Sequence, residues 1–119
     1  AYPGAEWVEG DMRALALGRR FDAVVAWNSL FHLPPADQRA VFPVFAPHAP
    51  PGAALRVTSG PAAGEAIGTW GGEPLYHASL DPAEYRALLG AHGFRVLAHV
   101  ARDPACGDTT VWLAQRAVA

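Results

Sequence analysis

The stretch Phe21-Asp22-Ala23-Val24-Val25-Ala26-Trp27-Asn28-Ser29-Leu30-Phe31-His32-Leu33 decides the fold class. Within it, Phe21 to Trp27 reads as a strand, and Ala23 to Ala26 is an unbroken apolar run. Such a run suits a strand buried on both faces of a parallel sheet, where helices cover each side. Pro34-Pro35 then opens a helix expected over Ala36 to His48, with Val41, Phe42 and Phe45 on one face. Pro43 sits inside that span without an amide hydrogen, and is expected to kink the helix or end it early. Pro50-Pro51-Gly52 is a turn, and Ala53 to Thr58 reads as a second strand. Strand, helix and strand in that order predict an α/β layered fold.

Upstream, Ala5 to Glu9 reads as a short strand ending at Gly10, and Asp11 to Leu17 as a helical turn or irregular loop. Downstream, Ser59 to Ser79 is a long glycine-rich stretch with little period, of the kind that is usually functional or mobile. Asp81 is a good N-cap, Pro82 suits the first helical position, and Glu84 stands where a capping box needs it. Tyr85, Leu88, Leu89 and His92 follow at helical spacing, and Gly93 provides the stop. Phe94 to Val100 and Thr110 to Ala114 read as two strands, joined by the Pro/Gly-containing link Asp103 to Asp108 as an antiparallel hairpin.

A chain of 119 residues is enough for one domain, here residues 1–119, and not comfortably two. Its 51% hydrophobic content is that of a globular protein. Net charge is -2 and the basic residues, all arginine, are scattered. Neither a basic stripe for nucleic acid nor a polybasic cluster for a membrane surface is present. Apolar stretches are broken by Pro, Gly or charge too often for a membrane-spanning helix. Cys106 is the only cysteine, so no disulfide can form within the chain, and a cytoplasmic location is expected.

Five local patterns occur in the order found in class I S-adenosylmethionine-dependent methyltransferases. Glu9-Gly10-Asp11-Met12 resembles the end of that family's third strand with its acidic adenine-binding loop. Phe21 to Leu33 looks like the fourth strand and its loop, and Ala49-Pro50-Pro51-Gly52-Ala53-Ala54-Leu55 is similar to the turn into the fifth. Tyr85 to Val96 resembles the last helix and sixth strand, and Val111-Trp112-Leu113-Ala114 the seventh. The resemblance covers almost the whole chain. It implies a partial Rossmann-like methyltransferase sheet, mostly parallel with a C-terminal antiparallel hairpin. It implies S-adenosylmethionine as methyl donor and a small molecule as acceptor.

The family's glycine-rich donor loop and its acidic second strand have no counterpart before Tyr2. Gly60-Pro61-Ala62-Ala63-Gly64 comes too late in the order to replace them. The expectation is part of a longer protein, or a truncated remnant. Without the intervening strands, Ala23 to Trp27 is expected to form an exposed apolar edge. Such an edge invites pairing with another chain, hence a homodimer, or direct pairing with the first strand.

Methyl transfer from a sulfonium mainly requires positioning, so no fixed triad is sought. By resemblance, Asp11 accepts the adenine amino group, Met12 covers the ring, and Trp27 and Asn28 line the donor site; a capping Asp and a core Trp are the alternatives. His32 is the candidate general base, or else fills the start of the next helix. Trp70, Tyr76 and His77 are candidates for the acceptor pocket, or pack the loop onto the sheet. No third ligand has metal-like spacing to His32 and His77, so no metal is expected. Three readings stay open: a methyltransferase, a non-catalytic dimeric binding module that keeps the fold's second half, and an unrelated small ligand-binding α/β domain.

Overall fold

The computed structural model of the chain describes residues 4, 6, 8–107 and 109–118, with Trp70 described by its backbone alone. Its elements run β1 (Ala23–Ala26), α1 (Pro35–His48), β2 (Ala54–Ser59), β3 (Gly64–Trp70), β4 (Glu73–Ser79), α2 (Pro82–Ala91), β5 (Phe94–Asp103) and β6 (Thr109–Arg116). The main sheet has the order β1-β2-β6-β5. β1 lies parallel to β2, and β6 is antiparallel to both β2 and β5. Three of the four strands therefore point the same way, and the last two form the expected antiparallel hairpin.

Both helices cover one face. Phe42 of α1 lies 6.1 Å from Tyr85 of α2, and Tyr85 lies 5.7 Å from Trp112 of β6 (ring centroids). Leu30, Val41, Phe42, Leu55, Val57, Leu89 and Trp112 close this core. Val24 and Ala26 of β1 join it, while Val25 and, just past the strand, Trp27 stay 60% and 40% exposed. The expectation of burial on both faces is thus corrected: β1 is the sheet's edge, paired only with β2 among the described residues, and α1 shields one side of it.

α1 continues past Pro43 and through Pro47. Gln38, Val41, Phe42, Phe45 and His48 are buried along its inner face, while both prolines are exposed. The carbonyl of Arg39, which loses its partner to Pro43, belongs to an exposed residue and is free to meet water, so the break in the ladder does not end the helix. At α2, Asp81 accepts from the Ala83 amide at 2.8 Å as an N-cap should. Glu84, expected to complete a capping box, pairs with Arg39 on α1.

Two further expectations change. Glu6, Val8 and Glu9 are not in a strand, and Ala5 and Trp7 lie outside the described residues. The Ser59 to Ser79 stretch is no open loop: most of it forms the β3–β4 hairpin, with Gly64 opposite Ser79 and Trp70 opposite Glu73. Its turn is Gly71-Gly72, with φ of 58° and 84°. Positive φ at both central residues matches the strand twist of a two-residue hairpin and is cheap only for glycine.

Candidate functional site

Because β1 and β2 are parallel, their carboxyl ends open on one edge of the sheet, the side where ligands sit in open α/β folds. Asn28, at φ 49°, turns the chain there, and its amide donates to Thr58 Oγ1 at 2.7 Å. A short 3-10 turn, Leu30–His32, follows with Leu30 wholly buried as its anchor. The β3–β4 hairpin folds beside this turn. His32 Nδ1 donates to the Tyr76 carbonyl at 3.0 Å, and His77 Nδ1 to the Leu75 carbonyl at 3.1 Å. A carbonyl only accepts, so each Nδ1 carries a proton, and in the neutral form of such a ring the lone pair is on Nε2. His77 packs 4.9 Å from His32 and 5.5 Å from Phe31.

A cleft of about 370 Å³ lies at the root of the hairpin, lined by Phe31, Ser59, Glu65, His77, Ser79 and Thr109 among others. Gly60 allows its closure: a Cβ there would stand 2.8 Å from Ser79 Cβ. Beneath it runs a buried polar network. Gln38 Nε2 donates to the carbonyls of Leu33 and Ala78, both at 2.9 Å. Tyr85 donates its hydroxyl hydrogen to Gln38 Oε1 at 2.5 Å and accepts from the Leu80 amide at 3.1 Å. Trp112 Nε1 donates to Ser59 Oγ at 2.9 Å. The network clamps the hairpin's root to both helices. Burial, and next the Ser79 and Leu80 hydrogen bonds acting the other way, leave the Tyr85 hydroxyl raised above the ordinary tyrosine range.

Asp11 sits elsewhere. Arg13 donates to both of its carboxylate oxygens, from Nε at 3.0 and 3.1 Å and from Nη2 at 2.6 Å, and the Arg13 amide adds a bond at 2.9 Å. These bonds hold the Asp11 carboxyl down at about 2. Arg13 also reaches Asp37 of α1 at 3.1 Å. Leu17 donates its amide to His48 Nε2 at 3.1 Å, so the segment bearing Asp11 and Met12 is docked on α1 at two points. A second groove of about 350 Å³, lined by Met12, Leu15, Phe21, Val24, Ser29 and Phe45 among others, runs between this segment, β1 and α1.

Of the residues singled out from sequence, Met12 lines the second groove and His77 the first, while the His32 ring stands 4.9 Å from that of His77, tilted by 58°. Tyr76 is held through its carbonyl by His32, and its phenol is raised by burial first and by Glu65 next. Trp27 stands at the edge with the Arg56 guanidinium 5.0 Å from its ring centre. Trp70 lies on β3, opposite Glu73, with its side chain outside the described part of the structure. Asp11, Trp27 and Asn28 line neither cavity. Gln38, Ser59 and Glu65 were not signalled by the sequence. A lone Gln on a helix reads as solvated, and Glu65 becomes meaningful only once the hairpin is formed. Among the described residues no cluster of three or more His, Cys, Asp or Glu side chains is placed to hold a metal.

No protein-family model matches the sequence, and no curated protein matches it. Solved structures do. The glycopeptide N-methyltransferase MtfA complexed with S-adenosyl-L-homocysteine superposes with a TM-score of 0.71 at 22% identity, over 92% of this chain and 60% of that one. CalS10, an amino pentose methyltransferase from Micromonospora echinaspora with S-adenosylmethionine bound, gives 0.72 at 20% identity, over 96% and 66%. The CcbJ methyltransferase from Streptomyces caelestis gives 0.70 at 19%, over 93% and 63%. This chain has the fold of the S-adenosylmethionine-dependent methyltransferases. It spans less than two thirds of each of these chains, 60%, 66% and 63%. Structures with this fold have been crystallised with S-adenosylmethionine, S-adenosylhomocysteine and sinefungin.

Proposed function

We propose that this chain is the carboxyl-terminal part of an S-adenosylmethionine-dependent methyltransferase acting on a small molecule, working with the rest of a longer protein or with a second copy of itself. The observation that carries this reading is a pair of cavities, one at the carboxyl end of β2 and one running along the free edge of β1. The groove beside Met12 is apolar and open enough for a flat purine, with Asp11 adjacent in the chain to accept its amino group. Arg13 occupies the sites on Asp11 that this would need, and Asp37 offers Arg13 a second partner when it lets go. Trp27 and Asn28 complete the donor side at the sheet edge. The donor, when bound, supplies a sulfonium methyl; the protein holds donor and acceptor in line and excludes water. The cleft bearing His77, with Tyr76 and His32 beside it, is the acceptor side, whereas Trp70 stands at the other end of the hairpin, next to its Gly71-Gly72 turn. The single thiol, Cys106, fits a cytoplasmic setting.

Calorimetric titration with S-adenosylhomocysteine tests this. Saturable binding, weakened roughly tenfold in Asp11→Ala by loss of a charge-assisted hydrogen bond, is expected. A folded chain that takes up none at millimolar ligand, alone and with its missing part supplied, refutes it. A second reading, a non-catalytic module that associates through its sheet edge, is favoured by the exposure of Val25 on β1 and of Trp27 just after it.

A further inference from the structure

We infer that the acceptor is an amine, and that His77, with His32 only positioning it, takes the amine's proton. This inference rests on the methyl-transfer reading of the cleft and names its substrate class.

The first support is placement. His77 lines the cleft and His32 does not. The His32 ring stands 4.9 Å from that of His77 and spends its Nδ1 hydrogen on the Tyr76 carbonyl. That bond joins the 3-10 turn to β4 one residue before His77, so it sets where the His77 ring stands. The second support is the tautomer. Leu75 accepts from His77 Nδ1, so in the neutral ring Nε2 is the nitrogen that carries the lone pair and can accept from a ligand. The third is charge. Glu65 is the one charged residue lining the cleft among the described residues, and no arginine does so. A carboxylate ligand would meet a negative charge, a nitrogen lone pair and no cation. An ammonium meets an acceptor, a negative charge and the ring face of Phe31, all favourable to a cation. Serine and threonine hydroxyls at Ser59, Ser79 and Thr109 supply neutral contacts.

The proton balance agrees. The amine enters as R–NH3⁺ and gives one proton to His77 Nε2. The freed lone pair forms the new N–C bond as the C–S bond of the sulfonium donor breaks, with its electrons left on sulfur as a neutral thioether. The product leaves as R–NH2⁺–CH3. An alkylammonium, with a reference acidity of about 10.4, gives up a proton to an imidazole far more readily than a water-like hydroxyl at about 15.7. A lone imidazole with no cation for an alkoxide therefore suits nitrogen better than aliphatic oxygen.

The test uses the isotopically labelled 119-residue chain and three probes of one shape: benzylamine, benzyl alcohol and benzoate. Benzylamine is expected to shift the resonances of Phe31, His77 and Ala78 saturably, and to bind at least fivefold more tightly than either analogue. His77→Phe should weaken benzylamine binding at least fivefold, because it removes the accepting ring nitrogen, and should change benzoate binding far less. His32→Phe, which loses the bond to the Tyr76 carbonyl, should weaken binding but retain it. In the unaltered chain, long-range proton–nitrogen spectra should show His77 protonated on Nδ1. Equal binding of benzoate, benzylamine affinity unchanged by His77→Phe, or His77 protonated on Nε2 overturns the inference. S-adenosylhomocysteine binding is read separately: its loss with amine binding intact sinks the methyl-transfer reading and leaves the amine site.

Discussion

At the scale of single residues, chemistry was legible in type and hidden in arrangement. An acid followed by Met12 stands out in the sequence, but that Arg13 folds back onto Asp11 depends on a turn no pattern announces. The same holds for the two histidines. His32 and His77 are 45 positions apart, and their contact exists only because the hairpin brings β4 beside the 3-10 turn. The Asp11–Arg13 pair has a pH signature. Its folded carboxyl is depressed to about 2 from 3.8, chiefly by the Arg13 hydrogen bonds. What the pair contributes is therefore present above the ordinary carboxylate range and is lost as pH falls through about 2. Carbon-detected titration should find Asp11 there, and Arg13→Ala should return it toward 3.8. An unshifted Asp11 in the parent chain would mean the pair does not persist in solution. Tyr85→Phe strands Gln38 Oε1 and the Leu80 amide in the core, and should cost about 1–3 kcal/mol in denaturant melts.

At the scale of elements, the helices and the parallel pair follow from periodicity, capping and apolar runs. The hairpin escaped because Gly, Pro and Ala interrupt any clear alternation across 60–79, although Gly71-Gly72 marks a two-residue turn. Pro43 misleads for a related reason: proline's penalty is local, whereas burial of Val41, Phe42 and Phe45 acts along the whole helix. Replacing Gly71 and Gly72 together by alanine should destabilise the hairpin by about 2 kcal/mol or more, since each would hold an L side chain at positive φ. Gly71→Asn should be nearly neutral, as Asn-Gly suits the same turn. Equal thermal stability of the double alanine variant would show that this turn is not the one adopted.

At the scale of the whole molecule, the sequence pointed to an α/β sheet with an apolar edge, and the edge is there. The one-sidedness of the helical cover was not legible, because an apolar strand reads the same whether one face is covered or two. Val25 on the edge strand and Trp27 just after it stay exposed, so self-association is expected to grow with concentration in sedimentation velocity runs. Val25→Arg should suppress it without unfolding the chain. A parent chain that stays monomeric at high concentration removes the homodimer. The hairpin adds a mechanical consequence. It is a ribbon of two strands clamped at its root by Gln38, Tyr85 and Ser79, with a glycine turn at its far end and no third strand beside it among the described residues. A cantilever bends most at its tip and least where it is fixed. The cleft lies at the fixed end, so the outer ribbon can sway, or rest against something large, while the walls around His77 keep their spacing.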